Sequence, residues 1–178
     1  MDDTIIEGAR VCLRSATPSD AQIISNWKNE PLVRKMALDE DTVTTVGKER
    51  EGIVRAKESE NELYLVILLK KTNRSIGYIR INWMDAKKRF AWLRFALGAE
   101  RGRGYARQAL SLLLGHLFSI GCHRVEAEVY DFNTRSLGLL EGLGFTREGV
   151  KRDAHYDSDG YHDVVVLGLL KSPDAIPA

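Results

Sequence analysis

The stretch Leu97-Gly98-Ala99-Glu100-Arg101-Gly102-Arg103-Gly104-Tyr105-Ala106-Arg107-Gln108-Ala109 decides how the rest of the chain is arranged. An apolar run from Phe90 to Leu97 enters it. A helical pattern leaves it, with Ala106, Ala109, Leu110, Leu113, Leu117 and Ile120 at the i, i+3, i+4, i+7 spacing of one buried face. Strand, glycine-arginine turn and helix in that order present bare backbone N–H groups to an anion. Gly102 and Gly104 permit left-handed dihedrals and close ligand approach. The first helical N–H groups have no intrahelical acceptor and lie at the positive end of the macrodipole. Arg101, Arg103 and Arg107 add formal charge, so the stretch reads as an anion cradle, with a plain solvated turn as the alternative. Two familiar phosphate motifs do not fit. A dinucleotide fingerprint needs glycine where Arg107 stands, and no Gly-Lys-Ser/Thr precedes the helix as a P-loop requires.

Around this turn the chain has the bulk of one domain, residues 1–178, with a frayed tail expected over 171–178. Lys and Arg number 26 against 25 Asp and Glu, a net charge of +1 that provides no basic face for nucleic acid. No basic leader followed by an apolar run opens the sequence, and no apolar stretch approaches ~18 residues, so a cytoplasmic protein without a membrane span is expected. Cys12 and Cys122 lack the paired spacing of a metal site and are expected to be reduced, buried and inert.

In chain order, Arg10 to Arg14 alternates as a first strand, and Thr17-Pro18-Ser19-Asp20 starts a helix with Thr17 as its cap. That helix carries Ala21, Ile24 and Trp27 on one face and ends near Asn29-Glu30-Pro31. A second helical region spans Val43 to Lys57. Residues 39–62 hold eight acids against four bases, read as a solvated face or as an acidic rim that attracts amines. Three strands follow, Glu62 to Leu69, Ser75 to Trp83 and Lys87 to Leu97, joined by short polar turns. Gly121 stops the helix after the cradle. His123 to Tyr130 alternates as a strand, with Val125, Ala127 and Val129 on one face and Glu126, Glu128 and Tyr130 on the other. A short helix from Thr134 to Leu143 and two last strands, Phe145 to Arg152 and Asp163 to Leu170, flank a loop rich in Asp, Gly and Tyr.

The central turn also meets an Arg/Gln-x-x-Gly-x-Gly/Ala signature through Arg101, Gly104 and Ala106, and there the chain resembles the GNAT superfamily of acetyl-CoA-dependent N-acetyltransferases. The element order is that of the GNAT fold almost end to end. The resemblance implies an α/β protein: a mixed sheet of about seven strands with helices on both faces, splayed around the acetyl-CoA site. A second segment, Asn133-Thr134-Arg135-Ser136 followed by Leu140-Glu141-Gly142-Leu143-Gly144-Phe145, resembles the family's later signature, in which an asparagine opens a short helix and Gly-Phe closes it. On that resemblance Phe95, Ala96 and Leu97 hold the thioester carbonyl by their backbone. Arg101, Gly102, Arg103, Gly104, Tyr105 and Ala106 take the phosphates, while Asn133 and Ser136 meet the pantetheine arm or the sulfur. Asn133 also suits a plain N-cap. Acetyl-CoA is the implied co-substrate, with no metal.

Acetyl transfer needs a neutral amine, stabilisation of the developing oxyanion, and a proton for the leaving thiolate. Many relatives carry a tyrosine acid where this chain has Leu140, and some carry a glutamate base where it has Trp92. The Asn-x-x-Ser pattern with Leu140 resembles the branch containing ribosomal-protein N-terminal acetyltransferases. Glu128-Val129 ahead of Asn133 matches another family pattern, so Glu128 is the candidate base and Ser136 the group at sulfur; a solvated carboxylate and a water are the alternatives. A Trp-x-Asn feature puts Trp27 and Asn29 at the acceptor, and Trp83 and Tyr130 are further candidates for its groove, Trp27 and Trp83 being equally suited to the core. Asp163 is expected to fix the late loop. The implied function is acetylation of a primary amine, first a protein or peptide N-terminal α-amine. The alternatives are a small-molecule amine (nucleotide-linked amino sugar, polyamine or aminoglycoside) or a non-catalytic acyl-CoA sensor. The expected assembly is a monomer or homodimer.

Overall fold

Period-two alternation sends the side chains of each strand to two faces of a sheet, and here helices cover both. The computed structural model describes residues 5–37 and 43–172. Its elements are β1 (Ile5–Glu7), β2 (Val11–Ser15), a 3-10 turn (Pro18–Asp20), α1 (Ala21–Asn29), α2 (Pro31–Met36), α3 (Val46–Glu58), β3 (Glu62–Leu69), β4 (Arg74–Trp83) and β5 (Phe90–Leu97). Then come α4 (Tyr105–Ser119), β6 (Arg124–Tyr130), α5 (Thr134–Glu141), β7 (Thr146–Asp157) and β8 (Gly160–Leu170). The eight-stranded sheet runs β1-β2-β3-β4-β5-β6-β8-β7 and is antiparallel except at β5 and β6. It is the mixed, two-sided sheet expected. The additional strand is β1, whose three residues are too few to show alternation.

β3 shows the division of faces. Leu65 and Ile67 join Ile79, Ile81 and Leu93 beneath Leu110, Leu113 and Leu117 of α4. Tyr64, Val66 and Leu68 join Tyr78 beneath Ile24 and Trp27 of α1 and Ile53 of α3. Each fully buried Leu or Ile contributes roughly 1.5–3 kcal/mol. Only Phe90, Ala91 and Trp92 of β5 pair with β6, against Arg124, Val125 and Glu126, although both strands run on. Past Trp92 the two strands part and leave a wedge.

Several local expectations shift. Thr17-Pro18-Ser19-Asp20 makes a 3-10 turn before α1 starts at Ala21. Pro31 ends one helix as expected but also opens α2, because proline suits the first helical position. α3 starts at Val46 rather than Val43, since Thr45 caps it by accepting the Lys48 N–H at 3.2 Å. The expected acidic rim lies partly outside the described residues, and so does 173–178 of the expected tail. The late loop is a hairpin: β7 and β8 continue to a tight turn at Ser158-Asp159, with Asp163 accepting the N–H of Asp153 at 2.9 Å. Tyr130, expected beside the half-exposed Glu126 and Glu128, is buried. Cys12 is half-buried, and burial pushes the Cys122 thiol up.

Asp20 ties the entrance of α1 to β2. Both its oxygens accept from the Arg14 fork at 2.7 Å, and Oδ2 also accepts the N–H and hydroxyl of Thr17 at 2.8 and 2.9 Å. Burial alone raises this carboxyl; the Arg14 and Thr17 hydrogen bonds outweigh it and hold the group below its ordinary value of 3.8. A depressed carboxylate stabilises the fold above its unfolded value and loses that contribution as pH falls through the folded one. Asp20→Asn is therefore expected to lower stability at pH 7 and to flatten the loss of stability below about pH 4, read from urea midpoints across pH.

Candidate active site

The cradle is built at the start of α4. Gly102 and Gly104 lie at φ +80° and +79°, and Gly104 is the N-cap of the helix. A left-handed conformation costs other L-residues about 1–2 kcal/mol, so this turn is written for glycine. Gln108, one turn in, accepts the N–H groups of Arg10 and Val11 at 3.0 and 3.1 Å and locks α4 to β2. Arg101 turns inward. It donates to the carbonyls of Leu97 and Gly98 at 2.7 and 3.3 Å and to Glu30 at 2.6 Å, bracing the turn against the start of α2. Arg103 pairs with Glu100 at 2.8 Å, and Tyr105 lies under Arg10 at 4.3 Å.

Gly98 lets Trp27 reach this brace, because a Cβ there would fall inside the indole ring. Gly98→Ala is expected to cost about 1–3 kcal/mol in a denaturant titration and to loosen the adjoining turn.

From the cradle a cleft of about 510 Å³ runs between α2, the end of β5 and the starts of α4 and α5. Phe95, Ala96, Leu97, Arg101, Gly102, Gly104, Ala106, Asn133 and Ser136, all singled out from the sequence, line it. Arg103 and Tyr105 do not. Arg107 and Arg135 also line it. The Arg135 position was legible only as the residue before Ser136; its place opposite the cradle depends on how α5 packs. Asn133 is half of a clamp across the cleft: Oδ1 accepts the Ser136 N–H at 3.2 Å, and Nδ2 donates to the Met36 carbonyl at 3.3 Å. It is the N-cap expected, and it also ties α5 to α2.

At the inner end the cleft meets a small cavity of about 70 Å³ in the wedge between β5 and β6. Phe95, Asn133 and Ser136 border both spaces. Tyr78, Arg80, Arg94 and Glu128 also line the smaller one. Glu128 also borders a third cavity of about 380 Å³ with Phe90, Trp92, Arg124 and Glu126, farther down the same strands. Its Oε1 accepts from Lys151 at 2.6 Å. Tyr78, Arg80 and Arg94 escaped the sequence reading. Their signal was the alternation Tyr78-Arg80-Asn82 and Trp92-Arg94, polar side chains facing opposite to the apolar ones in two otherwise apolar strands.

The remaining candidates lie elsewhere. Trp27 and Trp83 are core residues, 6% and 7% exposed, and border none of these cavities. Asn29 bonds the backbone of Thr44 in both directions, at 2.9 and 3.0 Å. Tyr130 stacks between Phe132 and His155, with ring centroids at 5.1 and 4.2 Å.

A family model described as an acetyltransferase (GNAT) domain matches residues 10–146. The N-acetyltransferase p20 of Bacillus licheniformis is 30% identical over 171 residues, 91% of this chain and 93% of the relative. The fold superposes on RimL, a ribosomal L7/L12 alpha-N-protein acetyltransferase in complex with coenzyme A, with a TM-score of 0.83 at 21% identity over 94% of this chain and 98% of that one. It superposes almost as well on a spermidine N-acetyltransferase SpeG chimera from Vibrio cholerae, with a TM-score of 0.81 at 21% identity over 91% and 96% of the two chains. Cradle, wedge and matched domain coincide along the sequence, and the chain belongs to the GNAT family of acetyl-CoA-dependent N-acetyltransferases.

Proposed function

We propose that the long cleft binds acetyl-CoA and that the small cavity receives the α-amine of a protein or peptide N-terminus. The backbone turn at Gly102 to Ala106 takes the phosphates at the start of α4. The backbone of Phe95 to Leu97, beyond the last β5–β6 pair, holds the thioester carbonyl and stabilises the charge that develops on its oxygen. Ser136 lies at the sulfur. The amine nitrogen bonds to the carbonyl carbon as the C–S bond breaks, and the amine's surplus proton passes to Glu128, directly or through water. An alkyl thiol titrates near ~8.5, so thiolate leaves tolerably near neutrality without the tyrosine that Leu140 replaces.

The observation that carries the acceptor class is the continuity at Glu128, which borders both the small cavity and the 380 Å³ space beyond it. An extended chain following its own N-terminus has room to continue there. Proton demand points the same way. An α-amine near ~7.7–8.0 is partly neutral at pH 7, whereas a lysine-like amine near ~10.4 is neutral in only about one molecule in 2500. RimL and SpeG are both structural neighbours, so likeness of fold does not separate a peptide from a polyamine.

Thiol release from acetyl-CoA against Ser- and Ala-starting peptides, spermidine, an aminoglycoside and a nucleotide amino sugar tests this. Release with the peptides above all others is expected. Faster release with spermidine or either sugar overturns the acceptor assignment. Tight acetyl-CoA binding with no release from any amine favours the sensor.

A further inference from the structure

Ala91 and Leu93 of β5 and Val125 and Ala127 of β6 belong to the core beneath α4. Phe90, Trp92, Arg124, Glu126 and Glu128 alternate with them and so face the other side of the sheet, where they line the 380 Å³ cavity together with Met84. Ligand sites are typically about 300–1,000 Å³, so the space is large enough to matter. Met84 and Phe90 are 67% and 36% exposed, apolar side chains left to solvent in one cavity. Their backbone is fixed. Met84 donates its N–H to the Phe90 carbonyl at 2.8 Å, and Asp85 Oδ1 accepts the N–H groups of Arg89 and Phe90 at 2.7 and 2.9 Å. A wall ordered beforehand loses little entropy when it is covered. The charges on the β6 side already have partners. Arg124 donates to Glu126 at 2.8 Å and to Glu148 at 2.9 Å, and Glu128 accepts from Lys151 at 2.6 Å. What the cavity offers an incoming side chain is apolar surface rather than an unpaired charge.

On the peptide reading above, on which this rests, we infer that the cavity takes the side chain of the acceptor's third residue and prefers a large apolar one, Leu, Met or Phe. Strand geometry sets the position. Trp92 and Glu126 are register partners, and Glu128 lies two residues farther along β6, about 7 Å at the rise of a strand. With the α-amine at Glu128, an extended acceptor that follows the strands brings its third residue level with Trp92 and Glu126. Its second side chain points the opposite way. The third meets Met84, Phe90 and Trp92, and the unbranched thioether of Met84 adapts to different apolar shapes.

The test compares kcat/KM for peptides that begin Ser-Ala-X and are otherwise identical, with X as Leu, Ser, Lys or Glu, and for a control that carries Leu second and Ser third. Leu at the third position is expected to exceed Ser by about tenfold, the lower end of what an apolar pocket gains from added methylenes. In Met84→Ser the ratio falls, and in Met84→Ser combined with Phe90→Ser it approaches one. The loss appears in KM rather than kcat, as for contacts made equally in ground and transition states. A merely structural role would lower kcat/KM for both peptides and keep the ratio; acetyl-CoA affinity, titrated in each variant, reports that the fold is retained. Equal kcat/KM for Leu and Ser, a preference for Lys or Glu over Leu, an advantage that follows Leu to the second position, or a ratio that survives the double variant overturns the inference while the peptide reading stands. So does a change of oligomeric state in Met84→Ser, measured by sedimentation, with the ratio unmoved: the face then belongs to a second copy of the chain. Silence from every peptide, with spermidine or an amino sugar acetylated, overturns the peptide reading and the inference with it.

Discussion

Glu128→Gln lowers kcat for a peptide α-amine by about 10²-fold or more at pH 7 while the affinity for acetyl-CoA stays unchanged. A positioned general base contributes typically ~10²–10⁴ to a rate, and glutamine keeps the shape of glutamate without its basicity. Glu128 suits the part because β6 has left β5 two residues before it, which opens the wedge at its side chain. Lys151, its partner, comes from β7, away from the coenzyme cleft. The variant also separates base from scaffold. If Glu128 removes the proton, the loss shrinks as pH rises past the α-amine's own value near ~8, where free amine no longer limits. Steady-state rates between pH 6 and 9.5, with calorimetric titration of acetyl-CoA, check this. A kcat within threefold of the unsubstituted protein across that range assigns Glu128 to structure.

Glu49→Leu destabilises the fold by about 3–5 kcal/mol. Glu49 is 5% exposed beneath α1 and ion-pairs with Lys28, itself buried, at 3.2 Å. It also accepts the hydroxyl of Tyr64. Burial, then the charge of Glu49, pushes that hydroxyl far above its ordinary range and keeps it a donor. The ammonium of Lys28 lies 5.2 Å from the centre of the Tyr78 ring and 5.9 Å from that of Tyr64. Removing the carboxylate takes an ion-pair partner from a buried ammonium, whereas removing both charges avoids that imbalance. Lys28→Met combined with Glu49→Leu is thus expected to recover most of the loss. Urea midpoints of the two single variants and the double variant measure it. Because Tyr78 lines the small cavity, the same variants report whether this buried network supports the acceptor site.

Sequence patterns carried the fold where periodicity is strong and failed where geometry is set by distant partners. β3 could be bounded at Glu62 and Leu69 because turn residues close off an apolar run. α4 was readable from its apolar stripe and from the glycines that cap it. β1 was not, since three residues show no period, and α2 was hidden because Pro31 reads first as a helix breaker. The hairpin of β7 and β8 was cut short because Asp, Gly and Tyr there look like loop composition. Its long outer strand is exposed along most of its length and lacks an apolar face. In the site, the glycines and the Asn133 clamp were legible as local chemistry. The inward turn of Arg101 was not, because its acceptor Glu30 lies 71 residues away. Trp27 and Asn29 could be read as acceptor contacts from their spacing alone; only packing shows Trp27 against Gly98 and Asn29 bound to Thr44. Arg80 and Arg94 needed the cross-strand register before they could be seen as a pair.

Acetyl transfer to a peptide α-amine is tested most directly by one substrate that offers both kinds of amine. A Ser-starting peptide with an internal lysine, incubated with acetyl-CoA and the protein at pH 7, is fragmented in a mass spectrometer to locate the acetyl group. A single acetyl group on the N-terminal nitrogen is expected, with the lysine unmodified. An acetyl group on the lysine side chain, or an unmodified peptide under conditions where spermidine is acetylated, contradicts it.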